Sequence, residues 1–249
     1  MNSNGTSSFI RSLTLLLAIL LLAVYIFTSC KGDPVRDYIK DKGISPSQLP
    51  PELVEMLRKN PETEDFVLSY SEEKEIAHDI DLSEYKNTDT PPLLLQWDKR
   101  WGYEKYGDGM IAFTGCAPTC LSMVSLYLTN DTSLDPLYIA NRAEAEGYYV
   151  EGVGSDWSVM TIFAEELGLD SKELPLDKNT VIRCLESGEP IICAMGPGDF
   201  TENGHFILLS GVENGKIKIN DPNSIANSKK LWEFEDISRQ IKNLWRYKI

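Results

Sequence analysis

Histidine is scarce in this chain: His78 and His205 are the only two in 249 residues. Any mechanism that needs an imidazole near neutral pH therefore has two candidates. Cysteine is sparse too. Cys30, Cys116, Cys120, Cys184 and Cys193 contain no CxxC pair, which argues against a structural zinc ribbon. Nor do they make a dense disulfide framework, which a chain of this size does not need. No cofactor and no metal site is expected. A Lys/Arg-rich stripe is missing as well: 24 basic residues stand against 38 acidic ones, for a formal net charge of −14. That balance argues against a nucleic-acid partner, because nothing replaces the counterions of a phosphate backbone. No repeat of fixed period is present. What is there is 42% hydrophobic and 10% aromatic content, enough for a real core, under an acidic surface suited to an exported protein.

The N-terminus carries the longest apolar run. A polar start ends at Arg11, and Leu13 to Thr28 (LTLLLAILLLAVYIFT) is almost unbroken. With Phe9 and Ile10 included it reaches the ~20 residues that span a bilayer, and Arg11 can snorkel toward the cytoplasmic headgroups. Positive charge before the run directs the downstream chain across the membrane. Residues 1–30 therefore read either as an uncleaved signal anchor or as a lipoprotein signal ending at Phe27-Thr28-Ser29-Cys30. Both readings tether the chain to a cell membrane with the rest outside the cytoplasm.

Residues 31–90 are acidic and Pro-punctuated, with one short amphipathic helix expected over 52–59 from Leu53, Met56 and Leu57. They read as a stalk or linker whose Phe66, Val67 and Leu68 dock onto the next domain. His78 lies here without a neighbouring nucleophile and reads as a surface residue. Pro91-Pro92 marks the boundary of a domain over 91–249. Helices are expected at 116–128, 136–146, 155–167 (with Ser155 as N-cap) and 179–187. Strands come after them at 191–195, 206–212 and 216–220, the last two joined by Asn214-Gly215, a strong hairpin signal. Helices first and neighbouring antiparallel strands second predict an α+β fold.

The chemistry concentrates at Gly115-Cys116-Ala117-Pro118-Thr119-Cys120. Gly115 permits a sharp entry and Pro118 suits the first turn of a helix, so Cys116 is expected at a helix N-terminus. Unsatisfied N–H groups and the helix dipole there favour a thiolate, the nucleophilic form of cysteine. A small core cysteine is the bland alternative. Gly204-His205 opens a buried strand, and Asn220-Asp221 closes the strand paired with it across the hairpin. An Asn or Asp beside the imidazole would fix its tautomer and stabilise the imidazolium. Gln96 lies 20 positions before Cys116; its amide with a backbone N–H would make an oxyanion hole, or it is a surface residue beside Trp97 and Trp101. Cys120, one turn beyond Cys116, reads as core rather than a metal ligand, and Cys184 and Cys193 read likewise. Asn141-Arg142, Tyr148-Tyr149, Gly152 and Gly154 belong either to a substrate cleft or to an ordinary loop.

The run QWDKRWGYEKYGDGMIAFTGCAPTCLSMV, with GHFILLSGV and INDPNS downstream, closely resembles the bacteriocin-processing (double-glycine) peptidase-like family of papain-type cysteine peptidases. The resemblance covers about Leu93 to Ile249. It implies a papain-like fold: a helical half with the nucleophile at a helix N-terminus, packed on an antiparallel sheet carrying His and Asp. It also implies Cys116 as nucleophile, His205 as general base and acid, Asp221 as orienting residue and Gln96 as oxyanion donor, acting on a peptide or protein substrate. Ala117 stands where the family most often has glycine. No ATP-binding GK[ST] loop and no multi-span segment is present, so the chain looks like a free-standing relative rather than a peptidase fused to an exporter. The expected function is an exported, membrane-associated cysteine peptidase. An amidase or acyltransferase with the same triad, and a catalytically silent binding module on the cell surface, are the alternatives.

Overall fold

Residues 32–249 are described by a computed structural model, in two compact units divided between Lys59 and Asn60. The apolar N-terminal run and Cys30 lie outside the described residues. Among the described residues no helix is long and apolar enough to cross a membrane. The first unit contributes α1 (Pro34–Asp41) and α2 (Pro51–Lys59). Asp33 caps α1 by accepting from the Val35 and Arg36 N–H groups, and Pro34 occupies the first turn, where its missing N–H costs nothing.

The second unit, Asn60–Ile249, opens with α3 (Glu64–Glu73). It continues through the small hairpin β1 (Lys105–Tyr106) and β2 (Gly109–Met110), α4 (Ile111–Thr114), α5 (Cys116–Thr129) and α6 (Pro136–Ala145). A second small hairpin, β3 (Tyr149–Val150) and β4 (Gly154–Ser155), precedes α7 (Ile162–Glu166). Then come β5 (Asp170–Glu173), α8 (Lys178–Glu186), β6 (Ile191–Met195), β7 (His205–Glu213) and β8 (Lys216–Asn220). The chain closes with α9 (Ile225–Lys229), α10 (Phe234–Ser238) and β9 (Ile241–Lys248).

One antiparallel five-stranded sheet organises this unit, in the order β5-β9-β6-β7-β8. The alternation of side chains along a strand splits its apolar residues between two cores. Ile192, Ala194, Phe206, Leu208, Trp245 and Tyr247 face a core built with α5, α6 and α7. Ile191, Cys193, Met195, Ile207, Leu209 and Leu244 face the other, with Val181 and Leu185 of α8 and Phe234 and Ile237 of α10. β6 is therefore buried at every residue, which is why it reads as a continuous apolar run. The β7–β8 turn has positive φ at both Asn214 (53°) and Gly215 (77°), the geometry that twists a two-residue hairpin correctly.

The helix expected over 155–167 is broken. Ser155 ends β4, and Asp156 instead caps a short 3-10 turn at Trp157–Met160 through the Ser158 N–H. The break falls at Thr161, with φ −120° and ψ −82°. The Met160 carbonyl, which an uninterrupted helix would use for its own ladder, accepts from Ser171 Oγ at 2.5 Å and from Tyr247 Oη at 2.9 Å. Hydrogen bonds from two distant strands have replaced the local one. Strands β5 and β9 and helices α9 and α10 add to the elements read from sequence, and β9 lies inside the sheet rather than at its edge.

Candidate active site

α5 begins at Cys116, separated from α4 by Gly115. A side chain at 115 would start 2.5 Å from Ile111 Cγ2 and 2.6 Å from the Ile111 carbonyl oxygen, so the close turn into α5 accepts only glycine. From Ala117 to Leu126 every residue of α5 is buried, which makes it the central helix of its core. Cys116 itself is half-buried, at the helix tip. One turn later the Cys120 thiol donates to the Phe206 carbonyl at 3.5 Å. That contact ties the start of α5 to the residue immediately after His205.

His205 opens β7, paired with Met195 of β6. β8 runs back beside β7 with Leu208 opposite Asn220, so Asp221 emerges from β8 next to the imidazole. His205 Nε2 lies 2.7 Å from Asp221 Oδ1, with side-chain exposures of 8% and 1%. Burial pushes the imidazole down. Against it, the bonded Asp221 carboxylate pushes it up, and Cys116 adds to the rise by hydrogen bonding and charge. The net result is an imidazole raised from 6.5 to about 10. An imidazolium is thus the preferred state, with Nε2–H directed to Asp221 and the other ring nitrogen left for the thiol.

Asp221 is held on every side. Oδ1 also accepts from the Asn223 N–H at 2.9 Å, and Oδ2 accepts from Asn227 Nδ2 at 2.9 Å. Its own N–H donates to Ser228 Oγ at 2.9 Å. Asn220, the other residue at this strand end, does different work. Its buried Nδ2 donates to the Pro91 and Pro92 carbonyls, both at 2.9 Å, and so anchors the entry of the chain to the sheet.

Gln96 is buried, 4% exposed, and its Nε2 donates to the Ala112 carbonyl of α4 at 2.7 Å. Its backbone N–H donates to the Pro222 carbonyl at 2.8 Å. Gln96 therefore bridges the helix turn before Cys116 and the residue after Asp221. An amide nitrogen carries two hydrogens, so the Ala112 bond leaves one to donate elsewhere. Oε1 has no hydrogen-bond partner among the described residues.

The remaining cysteines stand apart. Cys120 and Cys193 are fully buried, and burial pushes both thiols up. Cys184, half-buried on α8, is also raised by burial. Among the described residues no group of three His, Cys, Asp or Glu side chains is placed to hold a metal ion. His78 Nε2 lies 3.2 Å from Glu73 and takes no part in the Cys116–His205–Asp221 cluster.

Of the residues assigned either to a cleft or to a loop, Arg142 is committed to Glu146 at 2.7 Å and Glu166 at 3.2 Å, and Tyr148 Oη donates to Glu166 at 3.3 Å. Asn141 is exposed on α6. Tyr149 Oη accepts from the Asp108 N–H, and the Gly152 N–H donates to Asp108, so the β3–β4 hairpin is braced on β1–β2. Two site residues were not read from sequence. Asn227 holds the second oxygen of Asp221, and its signal was only a Ser/Asn-rich stretch after INDP. Tyr106 is fully buried, bonded to Ser155 Oγ at 2.7 Å, and belongs to the core that Cys116 packs against.

The sequence model of a family described as Peptidase_C39 like matches residues 89–248. Among solved structures, the chain is similar to the peptidase domain of Streptococcus ComA, described as a bi-functional ABC transporter involved in a quorum-sensing pathway. Identity is 18%, covering 63% of this chain and 96% of that one, with a TM-score of 0.45. It is also similar to a Bacillus anthracis chain described as a C39-like peptidase, at 15% identity over 69% of this chain and 98% of that one, TM-score 0.41. No curated protein matches it.

Proposed function

Because the chain belongs to the Peptidase_C39-like family and has its papain-like α+β fold, we propose that it hydrolyses peptide bonds with Cys116 as nucleophile, His205 as base and acid, and Asp221 as the group that orients the imidazole. The observation that carries this reading is the 2.7 Å contact between His205 and Asp221, nearly dry, with Cys116 at a helix tip acting on the same ring. The thiolate is the form of cysteine that attacks, and an imidazolium beside it is the group that can protonate the leaving nitrogen. Gln96 is assigned the oxyanion role, supported by its buried amide, which is bonded to the Ala112 carbonyl one turn before Cys116, and by its second amide hydrogen.

In the reaction the thiolate sulfur bonds to the peptide carbonyl carbon while the carbonyl π electrons move to oxygen. The oxyanion accepts from Gln96 Nε2 and a backbone N–H at the start of α5. His205 passes its proton to the leaving nitrogen, the C–N bond breaks, and a thioester on Cys116 remains. Water then attacks that thioester as His205 takes one of its protons, which releases the acid and restores the thiolate–imidazolium pair.

The domain is assigned to the extracytoplasmic side of a cell membrane, tethered through residues 1–30. This rests on Arg11 preceding the apolar run Leu13 to Thr28. Mass spectrometry of the N-terminus will show either an intact Met1 or a lipid-modified Cys30, and a free N-terminus at any other residue refutes the tether. The peptidase assignment is tested by proteome-wide profiling of cleavage products with wild type and Cys116→Ala. Identical peptide patterns would end it in favour of a silent binding module.

A further inference from the structure

The segment just upstream of the matched residues 89–248 reaches the turn that carries Asp221. Glu62 lies half-buried beside the start of α9, and its carboxylate accepts three hydrogen bonds. Oε2 takes the Ile225 N–H at 2.8 Å and the Ser224 hydroxyl at 3.2 Å, and Oε1 takes the Ala226 N–H at 2.9 Å. Asn60 Nδ2 adds a bond of 2.6 Å to the Asn223 carbonyl. α9 is only Ile225–Lys229, so its two leading N–H groups have no partner within the helix, and an anionic acceptor there relieves both. Two residues further on, Asn227 grips Asp221 Oδ2, while its own N–H donates to Ser224 Oγ at 3.1 Å. Ser224 thus links the two, touching Glu62 on one side and Asn227 on the other.

We propose that Glu62 is a positioning residue for the Cys116–His205–Asp221 site: by fixing Ser224 and the first turn of α9, it holds Asn227 against Asp221 and keeps that carboxylate on the imidazole. The proposal rests on the peptidase reading above. Residue 62 precedes the family's matched span, so this brace belongs to the chain's own extension. The extension is anchored independently at its far end. Phe66 stacks on Tyr103 with ring centroids 4.2 Å apart, Tyr103 Oη donates to the Phe66 carbonyl at 2.6 Å, and Lys99 reaches Ser69 at 2.8 Å and Asp65 at 2.6 Å. Loosening that end leaves the Glu62 bonds in place, which supplies a control. The titratable groups facing the site are His205, Cys116 and Asp221, with Tyr106 near Cys116 and Cys120 one turn further along α5.

The test uses the full chain and the rate at which iodoacetamide alkylates Cys116 as a function of pH. Wild type is expected to alkylate faster than free cysteine near neutral pH. Glu62→Gln keeps the size but loses the charge and two acceptor positions. It is expected to slow alkylation about fivefold at neutral pH and to move the acid limb of the profile upward, the loss that one helix cap corresponds to. In an Asn227→Ala background the same change is expected to alter the rate less than about twofold, since the two act in series. Lys99→Ala is expected to leave the profile unchanged. If Glu62→Gln fails to fold, Ser224→Ala cuts the same link and takes its place with the same expectation. A wild-type profile beside an unchanged Glu62→Gln profile overturns the brace and leaves the peptidase reading intact. Equal losses from Lys99→Ala, or full additivity with Asn227→Ala, also overturn the brace. A wild type no faster than free cysteine overturns both.

Discussion

The pH dependence of stability tests the His205–Asp221 pair most directly. An imidazole at about 10 in the folded protein, against 6.5 when exposed, stabilises the fold fully below pH 6.5 and loses that contribution as pH rises through about 10. At ~1.4 kcal/mol per pH unit the interval corresponds to roughly 5 kcal/mol. That is an upper bound, because the side chain is still 8% exposed and partly hydrated. Even about 2 kcal/mol would shift a urea midpoint by ~1 M at an ordinary denaturant slope for this size. The assay is urea unfolding at steps between about pH 6 and pH 10.5, on wild type and Asp221→Asn. Lysines, tyrosines and the other cysteines titrate alike in both proteins and cancel in the difference. In Asp221→Asn the carboxylate that raised the imidazole is gone while burial, which lowers it, stays. The variant should be less stable at pH 7, and the gap to wild type should close toward pH 10.5. Two parallel curves would refute the argument, as would direct NMR titration of His205 below 6.5 in wild type.

Three more outcomes come from individual contacts. Brief iodoacetamide treatment of the native chain should label Cys116 and spare Cys120 and Cys193, whose burial blocks access and pushes the thiols up; peptide mapping that finds all three labelled alike contradicts the packing of α5 on β7. Gln96→Ala should lower kcat by roughly a hundred- to a thousandfold with little change in KM, whereas a change confined to KM would remove Gln96 from the oxyanion hole. Asn220→Ala leaves the Pro91 and Pro92 carbonyls without their buried donor, so thermal or urea unfolding should show a loss of ~1–3 kcal/mol with an unchanged pH–rate profile.

Much of the site was legible because its geometry is local. Gly115 and Pro118 bracket the start of α5, and Asn214-Gly215 sets a hairpin whose count brings the first residue of β7 beside the end of β8. Each of these depends on φ values, caps and turns that a few adjacent residues decide. Which of Asn220 and Asp221 meets the imidazole was not decided at that level. Both close the strand, and only the packing of Pro91-Pro92 on Asn220 and of Asn223 and Asn227 on Asp221 separates them.

The amino-acid order alone determined the α+β class, the helix that presents Cys116, and the hairpin that brings the start of β7 near the end of β8, since periodicity and turn chemistry act over neighbouring residues. Tertiary structure decided the rest. It seated the C-terminal strand β9 between β5 and β6, where Trp245 and Tyr247 are buried in one core and Ile241 and Leu244 in the other. It broke the helix at Thr161 by claiming the Met160 carbonyl from Ser171 and Tyr247. It also drew Glu62 to the turn beyond Asp221, where unpaired N–H groups sit more than 160 positions away in the chain. Hydrogen-bond and burial demands of that range leave no local pattern, so they become visible only once the chain has closed on itself.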